Sequence, residues 1–365
     1  MAESGARPNV SKVRERILRA TRAFTTPLLP DDYLEMINPL WSTRELRGRV
    51  ERICKETEEA VTVEVKPGHK WPGHEPGQYV RVGFDIDGKR HWRAYSLTSE
   101  PDRPDGYISF TPKVVESGVV SPFVNRKLKP GDLVVLSDVE GQFVLPDPLP
   151  DKLLFISAGS GITPIMSMLR ALHHQDALDD VVHLHSARHA DEVIFGPELR
   201  GMEKEHEGFK LHEQCTSKDG RMGPQDLDEL CPDWRERETF ASGPGEMLDA
   251  LNEHFEREGD CDRLHMERFQ PVIGGDAGEG EGGTITFLNS DTEVECDGGT
   301  PILVAGEESG LELPYGCRMG ICHTCVGKFR SGKLRDLRSG EVFDVEGVTC
   351  RTCVNAPEGP VEVEL

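Results

Sequence analysis

Five of the ten cysteines fall within the last 49 residues. Cys317, Cys322 and Cys325 stand in the run Tyr315-Gly-Cys-Arg-Met-Gly-Ile-Cys-His-Thr-Cys325, a C-x4-C-x2-C spacing, and Cys350 and Cys353 follow. With no apolar signal core at the N-terminus, a cytoplasmic chain is expected, in which clustered thiols mean a metal centre rather than disulfides. Two iron ions bridged by sulfide need four thiolates, and soft thiolates suit that chemistry. Three ligands from one tight loop can wrap such a cluster. Gly316 and Gly320 offer positive φ and let backbone N–H groups approach the sulfurs. Zinc is the alternative, with Cys322/Cys325 and Cys350/Cys353 as two C-x2-C pairs. It leaves Cys317 unused and ignores the x4 spacing.

A second group of residues suits an anionic, aromatic ligand. Arg93-Ala-Tyr95-Ser96-Leu97-Thr98 closes a strand, Thr111-Pro-Lys113 follows, and then Gly118-Val119-Val-Ser121-Pro. Ser121 reads as an N-cap with Pro122 at the first helical position. An arginine fork and a helix start could clamp a pyrophosphate from two sides, and Tyr95 offers a flat face to an isoalloxazine.

A third group begins at Ser157-Ala-Gly159-Ser-Gly161-Ile-Thr163-Pro164, after the apolar run Leu153-Leu-Phe-Ile. The glycines permit a tight turn and close approach to phosphate, and Pro164 suits a helix start. The next strand ends in His185-Ser186-Ala-Arg188 with no carboxylate for a ribose, so Ser186 and Arg188, with Arg221 as a further candidate, favour NADPH over NADH. The alternative for Arg188 is an ion pair with Asp191 or Glu192. Ser242-Gly243-Pro244-Gly-Glu-Met247 forms a third turn.

Three kinds of element must position these groups. From Arg47 to Pro146 the pattern is short alternating strands with turns at Pro67-Gly, Asp87-Gly, Asp105-Gly and Pro130-Gly, which predicts an antiparallel barrel. From 147 to 270, buried strands at 153–157, 181–185 and 239–243 alternate with helices at 164–174 and 246–258, which predicts a doubly wound parallel sheet. Residues 274–283, GGDAGEGEGG, read as a linker. Residues 284–365 predict a compact domain with strands at both ends. The expected division is therefore 1–47, 48–146, 147–270, 271–283 and 284–365.

Residues 48–269 resemble the ferredoxin–NADP reductase superfamily, whose flavin signatures are R-x-Y-S and a later G-x-x-S. G-x-G-x-T-P after a buried strand is its dinucleotide motif. Glu140-Gly-Gln-Phe143 is similar to its closing P-x-G-x-F turn with the proline changed. Residues 284–365 resemble a plant-type 2Fe-2S ferredoxin of β-grasp fold.

The resemblance implies FAD, with Arg93 and Ser121 on its pyrophosphate and Tyr95 packed on the flavin. Ser96 would face the flavin N5 edge, and Leu97, Lys113, Gly118 and Val119 would complete the site. It implies NADPH or NADH on Gly159, Gly161, Thr163, Pro164, Ser186, Arg188, Gly243, Pro244 and Met247. Ser242 stands where the family has a cysteine beside the nicotinamide, so Tyr95, Ser96 and Ser242 are the expected catalytic residues. Cys317, Cys322, Cys325 and Cys353 are the expected cluster ligands; Cys353 is chosen over Cys350 because Arg351-Thr-Cys353-Val-Asn-Ala-Pro357 is similar to the ferredoxin ending. Cys350 is then a small buried hydrophobe.

Such a chain would take electrons from NAD(P)H in pairs and release them singly to an oxygen-activating partner. The formal charge of −23 argues against phosphate-neutralising nucleic-acid binding. Residues 284–365 carry seven Lys/Arg against fourteen Asp/Glu, which suits steering toward a basic partner. Residues 1–22 invert that balance, with six Lys/Arg against two Glu, and Val10, Val13, Ile17 and Phe24 lie near one helical face. This predicts a basic amphipathic helix that packs on the protein or docks on an anionic membrane.

The segment Asp31-Asp-Tyr-Leu-Glu-Met-Ile-Asn-Pro-Leu-Trp41 resembles actinobacterial reductases that serve membrane-bound acyl-CoA desaturases. The expected partner is thus a fatty acyl desaturase or another terminal oxygenase, with peripheral attachment at the inner membrane face. Alternatives are the reductase of a Rieske-type oxygenase or, outside enzymes, a redox sensor or zinc module.

Overall fold

The computed structural model of the protein describes residues 30–115, 118–269, 280–311, 313, 314, 320 and 325–365. The basic segment at 1–22 and most of the glycine-rich linker lie outside the described residues.

Six antiparallel strands form the first sheet: β1 (Leu46–Lys55), β2 (Val61–Pro67), β3 (Tyr79–Ile86), β4 (Lys89–Ser96), β5 (Ile108–Phe110) and β6 (Leu133–Glu140). Their order is β4-β3-β6-β1-β2-β5, and a bridge between Leu97 and Phe110 joins the two edges into a barrel. Valines at every second position of β2 and β3 (Val61, Val63, Val65; Val80, Val82) turn inward around Phe84 and Phe110, the packing that period-2 sequence dictates. Helix α2 (Val120–Arg126) covers one end through buried Val120 and Val124.

Five parallel strands form the second sheet: β7 (Leu153–Ala158), β8 (Val181–Ala187), β9 (Phe209–Cys215), β10 (Glu238–Ser242) and β11 (Leu264–Glu267). The order β11-β10-β7-β8-β9 reverses direction between β7 and β10, so a crevice opens at their carboxyl ends. Helices α3 (Ile162–His174), α4 (Gly196–Glu205) and α5 (Gly245–Glu258) pack on it. Helix α3 buries Ile165, Met166, Met168, Leu169 and Leu172 together with Phe155 and Phe240.

The C-terminal region holds β12 (Gly283–Phe287), β13 (Thr292–Cys296), α6 (Ile302–Glu308), β14 (Val326–Ser331), β15 (Lys333–Asp336), β16 (Val342–Asp344), β17 (Thr349–Arg351), β18 (Asn355–Pro357) and β19 (Val361–Glu364). Strand β19 runs parallel to β12 and antiparallel to β14, giving the order β13-β12-β19-β14-β17, a β-grasp arrangement over Phe287, Ile302 and Phe329. Gly283, expected as the last linker residue, is instead the first residue of β12, opposite Cys296.

Helix α1 (Pro30–Ile37) precedes the barrel. Its polar residues face the protein: Asp32 pairs with Arg44 at 2.7 Å, and Glu35 pairs with Arg47 at 3.0 Å while accepting from the Ser42 hydroxyl at 2.8 Å. Its apolar residues Tyr33, Met36 and Ile37 face outward, the last two 68% and 73% exposed, with Trp41 exposed beside them. The helix is thus inside-out relative to a core-packed amphipathic helix. Among the described residues no helix is long and apolar enough to cross a membrane.

Candidate functional site

The strand that carries Arg93, Tyr95 and Ser96 is β4, an edge of the barrel sheet, with Arg93 paired to Val82 and Ser96 to Tyr79 on β3. Arg93 donates from Nη1 to the Trp92 carbonyl at 2.8 Å. Tyr95 stacks on Phe110, with centroids 5.1 Å apart and planes at 17°, and meets the edge of Phe84. Burial pushes its hydroxyl above the usual phenol range. Ser96 is buried at the strand end. Leu97 is fully buried in the barrel core, so its side chain shapes the strand end and presents nothing to a ligand.

Lys113 lies 3.2 Å from Glu59. The Gly118 N–H donates to the Val115 carbonyl, and Val119 is exposed. The expected cap at Ser121 is corrected here. Helix α2 begins at Val120, and Val119, already helical at φ −84° and ψ −43°, holds the cap position without a side-chain bond. Ser121 lies in the first turn, where its hydroxyl accepts the Val115 N–H at 3.0 Å and closes the loop that precedes the helix.

The glycine turn leaves β7 at Ala158. Gly159 has φ +54°, which glycine adopts without strain, and Gly159–Gly161 form one 3-10 turn into α3. A Cβ at Gly161 would stand 2.1 Å from the Ser242 carbonyl oxygen, and one at Gly243 would stand 2.7 Å from the Met247 methyl. The first and third turns of the dinucleotide motif therefore touch backbone to backbone across the switch-point crevice. Helix α3 starts at Ile162, two residues before the expected Pro164. Pro164 remains in its first turn, where a missing N–H costs nothing. Thr163 donates to the Ser160 carbonyl at 3.0 Å.

Ser242 is fully buried and its hydroxyl has no hydrogen-bond partner, an orphan polar atom on the residue whose carbonyl meets Gly161. Pro244 caps α5, and Met247 donates to the Pro244 carbonyl. Ser186 is buried next to the end of β8, and Arg188 beyond it is exposed. Among the described residues Arg188 makes no ion pair with Asp191 or Glu192. Arg221 pairs with Glu246 at 2.7 Å instead of joining Arg188.

The two halves of the site are bolted together. The Ser167 hydroxyl on α3 donates to the Ser99 carbonyl at 2.7 Å, and Arg170 Nη1 donates to the Thr98 carbonyl at 2.6 Å. Thr98 and Ser99 directly follow the Arg93–Leu97 motif. The helix that begins at the glycine turn thus grips the strand end that carries Tyr95 and Ser96.

Sequence reasoning missed three features. Glu267, paired with Ser242 at the end of β11, has its carboxyl pushed up to about 7 by burial. Ser157 sits between two buried imidazoles, 2.8 Å from His183 Nε2 and 2.7 Å from His185 Nδ1. Burial holds both below the usual histidine range, His185 at about 4. Tyr79 donates to Glu140 at 3.0 Å beside the Gly141 turn. Two histidines at i and i+2 in the otherwise apolar strand Val181-Val-His-Leu-His185 were the available signal for the second.

In the C-terminal region, Cys317 and Cys322 lie outside the described residues. Cys325 and Cys353 are both buried, 1% and 3% exposed, and share one core. Thr352 ties them, since its N–H and hydroxyl both donate to the Cys325 carbonyl at 2.7 and 3.1 Å. Gly320 has φ +73°, and its carbonyl accepts from Arg351 Nη1 at 2.7 Å, which ties Gly320 to the strand just before Cys353. Cys350 is half-buried on β17, its thiol raised by burial.

Family models described as an oxidoreductase FAD-binding domain, an oxidoreductase NAD-binding domain and a 2Fe-2S iron-sulfur cluster binding domain match residues 49–144, 155–256 and 285–358. An NADPH oxidoreductase of Mycobacterium tuberculosis is 44% identical over 94% of this chain and 90% of its own length. The glycine betaine monooxygenase reductase subunit of Pseudomonas aeruginosa is 30% identical over 79% of this chain and 86% of its own. The chain belongs to the ferredoxin–NADP reductase-type flavoproteins with a C-terminal 2Fe-2S domain.

Phthalate dioxygenase reductase, a solved structure at 20% identity and a TM-score of 0.59, covers 88% of this chain and 98% of its own, and so shares the fold. The protein is an NAD(P)H oxidoreductase that passes electrons from NAD(P)H through FAD to a 2Fe-2S cluster. FAD supplies the exchange between paired and single electrons. Two observations are compatible with these groups: the partnerless Ser242 hydroxyl beside the glycine turn, and the two buried thiols of Cys325 and Cys353 in the C-terminal core.

Proposed function

We propose that this reductase delivers single electrons to an oxygen-activating enzyme, and that the partner is a fatty acyl desaturase at the membrane surface. In this reading Arg93, Ser121 and the backbone of Gly118 and Val119 hold the FAD pyrophosphate, Tyr95 and Ser96 line the flavin, and Lys113 flanks it. Gly159, Gly161, Thr163 and Pro164 receive the dinucleotide phosphates. Ser186 and Arg188 receive a 2′-phosphate, so that NADPH is the donor. Ser242, Gly243, Pro244 and Met247 seat the nicotinamide. Cys317, Cys322, Cys325 and Cys353 ligate the cluster.

The observation that carries the site assignment is the contact of Gly161 with the Ser242 carbonyl at the switch point, on a helix that grips Thr98 and Ser99. It supports one continuous crevice for donor and flavin.

The membrane reading is supported by helix α1. Tyr33, Met36, Ile37 and Trp41 face outward just after a segment of net positive charge in an otherwise acidic chain. Aromatic and apolar residues beside basic ones suit an anionic bilayer surface. A chain lacking residues 1–22 should keep NADPH–cytochrome c reduction and lose acyl-CoA desaturation by a membrane fraction. Unchanged desaturation would reject the membrane reading.

A second reading, reductase of a hydroxylase or Rieske-type oxygenase, is favoured by the names of the relatives from Pseudomonas aeruginosa and Rhizobium meliloti, the latter a stachydrine N-demethylase reductase subunit. Co-purification of a soluble oxygenase that accepts electrons from this chain would establish it.

A further inference from the structure

We propose that the adjoining C-terminal ends of α3 and α4 form a binding site for one divalent transition-metal ion of the zinc class, with His173, His206 and Glu205 as ligands. One ligand atom from each lies within 4.8 Å of the others. His173 Nδ1 and His206 Nε2 are 2.7 Å apart, with ring centroids 4.9 Å apart and planes at 84°. Glu205 Oε2 lies 3.9 Å from His173 Nε2. Asp176 Oδ1 lies 3.6 Å from His206 Nδ1, so a carboxylate stands behind the ligating imidazole, an arrangement that orients metal-bound histidines.

Electrostatics favour a cation here for independent reasons. His173 is in the last turn of α3 and His206 is the C-cap of α4, so two helix ends direct their carbonyl partial charges at one spot. Two carboxylates add to that field, and among the described residues neither Asp176 nor Glu205 pairs with a lysine or arginine. A lone hydrogen bond between two imidazoles uses one donor and one acceptor; a metal uses both lone pairs. Two imidazole nitrogens at 2.0–2.1 Å from a tetrahedral ion stand about 3.3 Å apart, so the present pair needs to open by about 0.6 Å, which side-chain torsions supply. Water completes the fourth position.

The site lies at the far end of a 13-residue helix from the glycine turn, roughly 20 Å away. Its role is therefore to staple α3 to α4, and hydride transfer does not involve it.

The test uses the flavin- and iron-loaded protein titrated with zinc chloride, with zinc, iron and FAD measured on the same samples after dialysis. The expected result is one zinc per FAD with iron unchanged, an upward shift in melting temperature, and unaltered NADPH–ferricyanide turnover. His206→Gln, and separately the exposed Glu205→Gln, should weaken zinc binding by about tenfold or more and abolish the shift. Zinc uptake equal in wild type and in His173→Gln/His206→Gln would overturn the proposal. So would no uptake in the wild type, or uptake that tracks iron loss from the cysteine loop.

Discussion

Gly161 and Ser242 are 81 positions apart in sequence, yet their backbones meet so closely that a single methyl on Gly161 would lie 2.1 Å from the Ser242 carbonyl oxygen. That approach fixes the width of the crevice between β7 and β10. Gly161→Ala must push the two turns apart, because the obstacle is backbone and cannot rotate away. We predict a fall in kcat/KM for NADPH of at least about 100-fold, roughly 3 kcal/mol, with FAD content unchanged. Steady-state kinetics with ferricyanide and flavin absorbance check it.

The Ser167–Ser99 bond joins the dinucleotide helix to the flavin strand. Ser167→Ala removes one of two partners of the buried Ser99 carbonyl, leaving His74 Nε2 at 3.1 Å, and should cost about 0.5–1.5 kcal/mol in stability. The melting temperature should drop, and flavin reduction by NADPH in stopped flow should slow more than NADPH binding weakens. A variant as stable and as fast as the parent would remove this bond from the account.

Ser157, His183 and His185 give the second sheet an acid-sensitive centre. Both imidazoles titrate below the unfolded value near 6.5, so the unfolded chain binds protons first as pH falls. Their stabilising contribution is complete above about pH 6.5 and is lost on acidification toward 4. For His185 alone the loss is on the order of 3 kcal/mol. Urea unfolding followed from pH 7 to pH 4.5 should show this slope, and His185→Gln should flatten it.

Glu267 acts in the opposite direction. Its folded-state value near 7 exceeds the unfolded value, so its contribution is complete below about pH 4.5 and is lost as pH rises through 7. Glu267→Gln should therefore raise the melting temperature at pH 8 and leave it unaltered at pH 4.5. A gain at both pH values would mean that desolvation of the charged form is not the cause.

Cys353 and Cys350 differ in environment: one is 3% exposed and tied through Thr352 to Cys325, the other is half-buried on β17. Cys353→Ser should abolish the visible absorption of the cluster and cut the iron content. Cys350→Ser should retain both. The reverse pattern would reassign the fourth ligand.

Local signals made much of this molecule legible. Alternating valines in β2 and β3, the apolar run of β7 and the glycine turn after it each announce their element in a few residues. Strand β9, Phe-Lys-Leu-His-Glu-Gln-Cys, was not legible, because at the sheet edge only Phe209 is buried and the polar residues after it form neither an apolar run nor a clean alternation. Ser121 misled because Ser-Pro is a strong helix-start signal, while the loop from Val115 used its hydroxyl first. The contacts that define the site, Gly161 with Ser242 and Ser167 with Ser99, are long-range, and no window of sequence encodes them. The outward face of α1 could not be foreseen either, since a periodic helix says which residues share a face and not which way that face points.

The central claim is that electrons enter in pairs at the Gly161–Ser242 crevice and leave singly from the cysteine-held cluster. Anaerobic titration with NADPH, followed by visible absorbance, with iron and FAD assayed on the same sample, tests it most directly. The account predicts two iron atoms per FAD and bleaching of both flavin and cluster bands by NADPH alone. A protein that holds zinc in place of iron, or whose flavin bleaches while the cluster band stays, would contradict it.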